Sequence, residues 1–364
     1  MAPDPRWLDR SYLRAGLSAS GTARDLRRLR LALTAVQHRL FGVKPRSNAS
    51  QLRVLAHLPT YLPYTYGGSE SSMRETLGFL LKRGYEVRVI VDDSPVDSYE
   101  LDGVQVIAHP GRRVEREVYK WSTVVLTQGR SALHAFMRAA TIHRPIALFV
   151  RNIADWQRLP GRPNLVVFNA EWQRRAFDYS YDALVVHSPV DPAKYVTTPG
   201  DRVTLINLNR RKGGHLFGEI VTRMPDVEFL GVVGMWEEQI IPNPIPHNLI
   251  ILQSKDDVRE IYSQTRVLLL PSQWESFGRV AVEAGLSGIP VVASPNPGTI
   301  EALGNAAIYA SWSDLNEWIQ AIRLLERPDI YQSRSAAIAR ATRRFTSSEE
   351  LVALESALRK MVLC

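Results

Sequence analysis

Two carboxylates, Glu275 and Glu283, stand eight residues apart in the stretch 271–294 (PSQWESFGRVAVEAGLSGIPVVAS). An ionised carboxylate only accepts hydrogen bonds, and its two oxygens can span neighbouring hydroxyls of a sugar ring. Between them, Ser276 and Phe277 lead into Gly278, Arg279 and Val280, whose backbone N–H groups open a predicted helix. A helix N-terminus favours a phosphate. Further cations stand in 203–214 (VTLINLNRRKGG), where Arg210, Arg211 and Lys212 precede a Gly-Gly pair. Strand, cationic loop, glycines and helix form a phosphate-binding order. A second Gly-Gly pair, Gly67–Gly68, follows the loop 60–66. Glycines at a strand-to-helix turn let backbone approach a ligand closely. Sugar hydroxyls on both sides of a phosphate describe a sugar nucleotide, and fixed cations can replace a metal at the leaving diphosphate.

Those groups need a frame. The run 267–270 reads as a strand buried on both faces, 271–276 as a loop carrying Glu275, and 277–288 as a helix. Gly288 supplies the left-handed residue that often ends a helix, and 291–294 is the next strand. The same alternation covers the chain from Leu52. Predicted strands are 53–58, 86–91, 104–108, 123–126, 146–150, 165–168 and 183–186, then 203–208, 227–233, 249–252, 267–270 and 291–294. Short apolar strands separated by helices imply parallel sheets covered on both sides. The Pro- and Thr-rich segment 188–200 divides the two sets. The fold class is therefore α/β: two Rossmann-like domains facing a cleft, with an N-terminal helical extension. The expected division is 1–50, 51–198, 199–345 and a final helix over 346–364.

The motif Glu275-x7-Glu283, with Phe277–Gly278 and Gly288–Pro290 beside it, closely resembles the signature of the family-4 GT-B glycosyltransferases, which are retaining enzymes. The resemblance runs over about 52–362. It implies that Glu275 contacts the donor sugar, Glu283 the nucleotide ribose, and Lys212 the diphosphate. Asn207 stands where the family's second diphosphate cation is expected, so Arg210 or Arg211 is assigned that charge. Residues 249–257 resemble the strand and loop that hold the nucleobase through backbone near Leu252 and Gln253. Residues 294–301 (SPNPGTIE) stand at the family's Gly-Gly-x-x-Glu loop, with Asn296, Gly298, Thr299 and Glu301 as contacts and Pro297 replacing a glycine. Two histidine positions near the reacting sugar differ. One segment reads 124–129 (VVLTQG), with Gln128, and the other presents Arg151. A retaining transfer in which the leaving phosphate takes the acceptor proton asks mainly for positioning and charge. The last helix is expected to cross back to the first domain, leaving a hinge.

On the acceptor side, Tyr61, Tyr64, Tyr66, Trp121, Arg151 and Trp156 fall on predicted first-domain loops. His109, His143 and His187 carry no ligand spacing and read as structural. Charge separates the extension from the body: residues 1–50 hold ten Lys/Arg against three Asp, a net +7 of the total +8. Leu26, Leu29, Leu33, Val36 and Leu40 share one helical stripe there. Three readings fit it: a helix packed on the body, a membrane-surface helix, or a nucleic-acid contact. The one cysteine, Cys364, excludes a disulfide framework, and no run of apolar residues is long enough to span a bilayer. The expectation is a cytoplasmic protein, free or peripheral to a membrane. It would use a nucleotide-sugar donor, an unidentified hydroxyl acceptor and no metal or cofactor. Two other activities fit the same residues: sugar transfer to a hydroxylated nucleobase in DNA, or a sugar-nucleotide epimerase or inactive donor-binding relative.

Overall fold

The computed structural model describes residues 52–152, 161–177, 181–235 and 237–363. The basic extension and Trp156 lie outside the described residues. The first half builds a sheet in the order β3-β4-β2-β1-β5-β6-β7-β8. Its strands are β1 (Arg53–Leu58), β2 (Glu86–Val91), β3 (Ser98–Leu101), β4 (Val104–Ala108), β5 (Val124–Gln128), β6 (Ile146–Val150), β7 (Leu165–Phe168) and β8 (Ala183–Val185). All neighbours pair in parallel except β3 with β4, a hairpin turned by Asp102 and Gly103 in left-handed conformations. Helices α1 (Gly68–Lys82), α2 (Arg112–Trp121), α3 (Ala132–Thr141) and α4 (Glu171–Ala176) connect the strands.

The second half builds β11-β10-β9-β12-β13-β14, wholly parallel. Its strands are β9 (Arg202–Ile206), β10 (Phe229–Val233), β11 (Leu249–Gln253), β12 (Thr265–Leu270), β13 (Val291–Ala293) and β14 (Ile308–Tyr309). The helices are α5 (Gly214–Arg223), α6 (Arg259–Tyr262), α7 (Arg279–Leu286), α8 (Pro297–Leu303), α9 (Leu315–Leu324), α10 (Pro328–Arg343) and α11 (Glu349–Leu363). Strand residues such as Val54, Val89, Leu126, Leu205 and Leu269 are buried, which is why these segments read as continuous apolar runs.

Helix α11 returns to the first sheet. Its Leu351, Leu354, Leu358 and Val362 join the core under β1 and β2, with Val54, Val89 and Leu77. Glu355 fixes its position, accepting from the Tyr85 hydroxyl and from Arg83 Nε at 3.0 Å. A core of the second half takes in Val190 and Tyr195 from the connecting segment and Ala170 from the first half. The two halves are therefore joined by packing as well as by chain. Two strands differ from the sequence expectation: β3 and β14 were not predicted. β3 has one face exposed, and β14 is two residues long, so neither carries the apolar signature of a buried strand.

Candidate active site

Lys212 and Glu275 come from different loops of the second domain, and glycine geometry brings them together. Asn209 caps the turn Arg210–Lys212, its side chain accepting from Lys212 N at 2.9 Å. Gly213 follows at φ +87°, where a Cβ would stand 2.6 Å from Pro271. Only glycine lets this loop press against the start of the Glu275 loop. The Lys212 ammonium consequently pairs with Glu275 Oε1, and Ser272 Oγ donates to the same oxygen at 2.8 Å. Gln273 N donates to Arg211 O at 2.9 Å and ties the loops again.

Glu283 sits in the second turn of α7. Arg279, four residues earlier on the same helix face, donates from Nε to Glu283 Oε1 at 2.6 Å. Tyr262 donates its hydroxyl to Oε2 at 2.8 Å. Burial pushes the Glu283 carboxyl up, and the Arg279 charge and the two hydrogen bonds oppose that rise. The Arg279 guanidinium also donates to Pro189 O at 2.5 Å and to the Tyr195 hydroxyl at 2.7 Å. One buried cation thus fastens the carboxylate to the interdomain connection. Across the gap, Gly68 lies against Arg279, its missing Cβ 3.8 Å from the arginine methylenes. Lys212, Glu275, Gly278, Arg279, Val280 and Glu283 line an open cavity of about 650 Å³, with Tyr66, Gly67, Gly68 and Arg74 on the opposite side. The cavity opens at the carboxyl ends of β9, β10 and β12, where parallel sheets bind ligands.

Residues 230–344 match the sequence model of "Glycosyl transferases group 1". A D-inositol 3-phosphate glycosyltransferase of Mycolicibacterium vanbaalenii is 28% identical over 213 residues, covering 46% of this chain and 47% of that protein. The O-antigen chain mannosyltransferase RfbU of Salmonella typhimurium is 34% identical over 88 residues, 24% of this chain and 25% of the relative. The chain thus spans about half the length of the first relative it matches and a quarter of the second. In structure it is similar to Anabaena HepE in complex with UDP and glucose: TM-score 0.68, 16% identity, 86% of this chain and 99% of that one. Sucrose-phosphate synthase from Thermosynechococcus elongatus gives TM-score 0.68 at 14% identity, over 85% of this chain and 99% of that one. The fold is GT-B, and the chain is family-4-like.

Within this GT-B frame, several residues singled out in the sequence lie off the cavity. Arg210 is exposed, and Arg211 reaches Glu237 at 3.4 Å instead. A 3-10 turn advances three residues per revolution, so of three successive cations only Lys212 faces the cleft. Leu252 and Gln253 stop short; the cavity wall is the following loop, including Ser254, Asp256 and Val258. Phe277 is buried, and the Ser276 carbonyl is taken by Trp172 Nε1 at 2.7 Å. Asn296 donates to Ser272 O at 2.8 Å and Thr299 to Ser294 O at 2.8 Å, while Gly298 abuts the Ser276 carbonyl. These three shape the Glu275 loop from behind. Glu301 faces the interdomain connection, accepting from His187 Nε2 at 2.7 Å.

On the first-domain side, Tyr66 alone of the described aromatics singled out there lines the cavity. Tyr61 is buried in the core, Tyr64 packs edge-on against Tyr99, and Trp121 stacks with Arg88. Gln128 Oε1 accepts from Arg151 Nε at 3.0 Å, both buried at the carboxyl ends of β5 and β6. Sequence reasoning missed Tyr195, Tyr262, Arg74 and Asp256. Arg74 grips Asp102 at 2.6 Å and reaches Asp256 across the cleft at 3.5 Å. The spacing of Arg279 and Glu283 was a legible signal for their pairing; the tyrosines had none. Among the described residues, one group has metal-ligand atoms within 4.8 Å of one another: His57, Asp92 and His134. Its members already have protein partners: His57 is hydrogen-bonded to Tyr119 and Asp92 at 2.6 and 2.9 Å, and His134 Nε2 lies 2.6 Å from a Glu115 carboxylate oxygen. Among the described residues, no helix is long and apolar enough to cross a membrane.

Proposed function

We propose that the chain is a retaining, metal-independent glycosyltransferase moving a sugar from a nucleotide-sugar donor to a hydroxyl of a glycan, a lipid-linked or a small-molecule acceptor. The observation that carries this reading is the convergence of Lys212, Glu275 and Glu283 on one interdomain cavity. Glu283 accepts the ribose hydroxyls, Glu275 those of the sugar, and Lys212 with the amides of residues 278–280 receives the diphosphate. Gly67–Gly68 covers the donor from the first domain. As the bond between sugar and phosphate breaks, negative charge grows on the diphosphate beside Lys212. A fixed cation stabilises it without reorganisation. The acceptor proton passes to a leaving phosphate oxygen on the face where the new bond forms. Similar structures, HepE with UDP and glucose and a pneumococcal O-GlcNAc transferase with UDP and GlcNAc, support a nucleotide-sugar partner.

A thermal-shift panel of nucleoside diphosphates and their sugars tests the reading. At a hundred times its dissociation constant, a ligand that binds only the folded state adds about 2.7 kcal/mol of stability. No shift with any of them removes the assignment.

The acceptor and location are part of the same proposal: a cytoplasmic enzyme working at an anionic membrane face. Residues 112–144 hold seven Lys/Arg against two Glu, although the body beyond residue 50 is close to neutral. Arg112, Arg113, Arg116 and Lys120 are exposed on α2, and Leu133 and Met137 are exposed on α3. Cations beside exposed apolar side chains suit headgroups over an acyl boundary.

A further inference from the structure

The interdomain connection begins at His187, whose imidazole is held from every side. Nδ1 lies 2.7 Å from Glu350 Oε1, at the start of α11. Nε2 lies 2.7 Å from Glu301 Oε1 on α8, and the backbone N–H donates to Glu350 Oε2 at 2.7 Å. The ring packs beside both Phe277 and Phe345, each centroid 5.2 Å away, and those two rings meet edge-on at 4.9 Å. Arg344 stacks on Phe345 and donates to the Glu301 carbonyl, and Glu349 is the other charged group at the rim. With a carboxylate opposite each ring nitrogen, both must carry protons, so the imidazole is a cation bridging two domains.

The contacts continue towards the cavity. Glu301 accepts from Glu171 N at 2.6 Å and Trp172 N at 2.8 Å, capping the first turn of α4. This fixes Trp172, whose Nε1 donates to Ser276 O at 2.7 Å and whose ring meets Trp274 edge-on at 5.7 Å. Ser276 is the residue after Glu275. The path runs from the hinge, through one helix of each domain, to the backbone beside the sugar carboxylate.

We propose that His187, acting through Glu301 and Trp172, is a positioning residue that sets the Glu275–Phe277 segment against the donor sugar. Hinge geometry and sugar placement are thereby linked. The part concerning sugar rests on the reading of Glu275 given above; the part concerning the segment does not. A protonated ring is suited to this place because it packs on two phenyl rings while donating in two divergent directions. Glutamine loses the charge, and both of its N–H donors sit on one nitrogen, so it cannot donate to two carboxylates on opposite sides. Burial alone would lower the imidazole pKa, but the two carboxylates outweigh it and raise it to about 9.

Amide hydrogen exchange on the full chain tests the placement without any substrate. His187→Gln and Trp172→Phe should each speed exchange of the peptide covering 272–278 about tenfold, with the β9 and β12 strands unchanged. Trp172→Phe removes the indole donor, trims the ring and leaves His187 and its carboxylates untouched, so it remains informative if His187→Gln folds poorly. In the native chain the protection of 272–278 should fall above pH 9, a limb absent from His187→Gln. Unchanged protection of 272–278 in both variants overturns the proposal. Among UDP-, GDP- and ADP-hexoses, the donor giving the largest thermal shift then reads the sugar role: Trp172→Phe should lower kcat about tenfold with KM nearly constant. Unaltered kcat in a variant with loosened 272–278 overturns the link to sugar. A native chain that binds none of these donors removes the functional reading while the exchange result still decides the clamp.

Discussion

Lys212 and Glu275, separated by 63 residues, face one another as an ion pair on the cavity wall. Their side chains are 31% and 10% exposed, so the pair is shielded but reachable. A donor entering the cleft offers each a better-placed partner: phosphate oxygens for the ammonium, hydroxyls for the carboxylate. The pair keeps both charges in place until then.

Glu275→Gln preserves shape and the Ser272 contact while removing the charge, and Lys212→Met does the same for the cation. Each should lower donor turnover by about 10²-fold or more, the usual effect of losing one such group. Because the two residues touch, the double variant should fall short of the product of the single losses. Initial rates of sugar release from the donor check this. Additive losses would show that the pair acts as two independent sites.

Arg279 and Glu283 are more deeply placed, at 5% and 8% side-chain exposure. Arg279→Ala leaves a buried carboxylate with the Tyr262 hydroxyl but without its cation, a change that typically costs about 3–5 kcal/mol. Arg279→Met with Glu283→Gln removes both charges and should recover most of that loss. Denaturant unfolding measures the difference. The double variant should still bind nucleoside diphosphate poorly, since the ribose carboxylate is gone.

Much of this architecture was legible in the sequence. Buried parallel strands announce themselves as short β-branched runs, and all but two of the described strands were found that way. That Glu275, Glu283 and Lys212 share one cavity could be anticipated because the resemblance to a known motif set them beside glycine turns at strand ends. Other features depend on contacts between distant segments. Nothing local says that Tyr195 and Tyr262 meet Arg279 and Glu283, or that Tyr61 turns into the core. The cluster Arg210–Lys212 misled because composition counts three cations while the tight turn aims one at the cleft. Glu301 misled for a similar reason: its motif position suggests the donor, but His187 and the first turn of α4 claim its carboxylate.

The His187 bridge makes stability depend on pH. The imidazole pKa is raised from 6.5 to about 9 on folding, burial being outweighed by Glu301 and Glu350. Its contribution is therefore complete below about pH 6.5 and disappears as pH rises through 9. The shift corresponds to on the order of 3 kcal/mol at most. Glu301 has the opposite sign. Burial tends to raise its carboxyl pKa, but the bonds from His187, Glu171 N and Trp172 N hold it below the ordinary 4.5, so its share is lost in acid. Unfolding free energy should fall from pH 7 to 10 in the native chain, and His187→Gln should flatten that slope. A slope unchanged by the substitution would place the alkaline titration elsewhere.

The cationic face of α2 and α3 makes the last prediction. Arg113, Arg116 and Lys120 lie on exposed positions of one short helix, and Met137, 62% exposed, projects from its neighbour. Helix α3 begins four residues beyond Gln128, which ends the central strand β5 of the first sheet. A membrane held against this face would bring a lipid-linked hydroxyl towards the donor. Vesicles containing phosphatidylglycerol should sediment the full chain, and neutral phosphatidylcholine vesicles should not. Each surface cation contributes roughly 1 kcal/mol at an anionic membrane, so exchanging Arg113, Arg116 and Lys120 together for Gln should weaken binding by about two orders of magnitude. Salt should weaken the native interaction, because charges at this surface are screened within about 10 Å at 0.1 M. Met137→Gln tests the apolar part separately: it should weaken binding at every salt concentration. Undiminished binding by the triple variant would assign membrane attachment to the basic residues 1–50 instead.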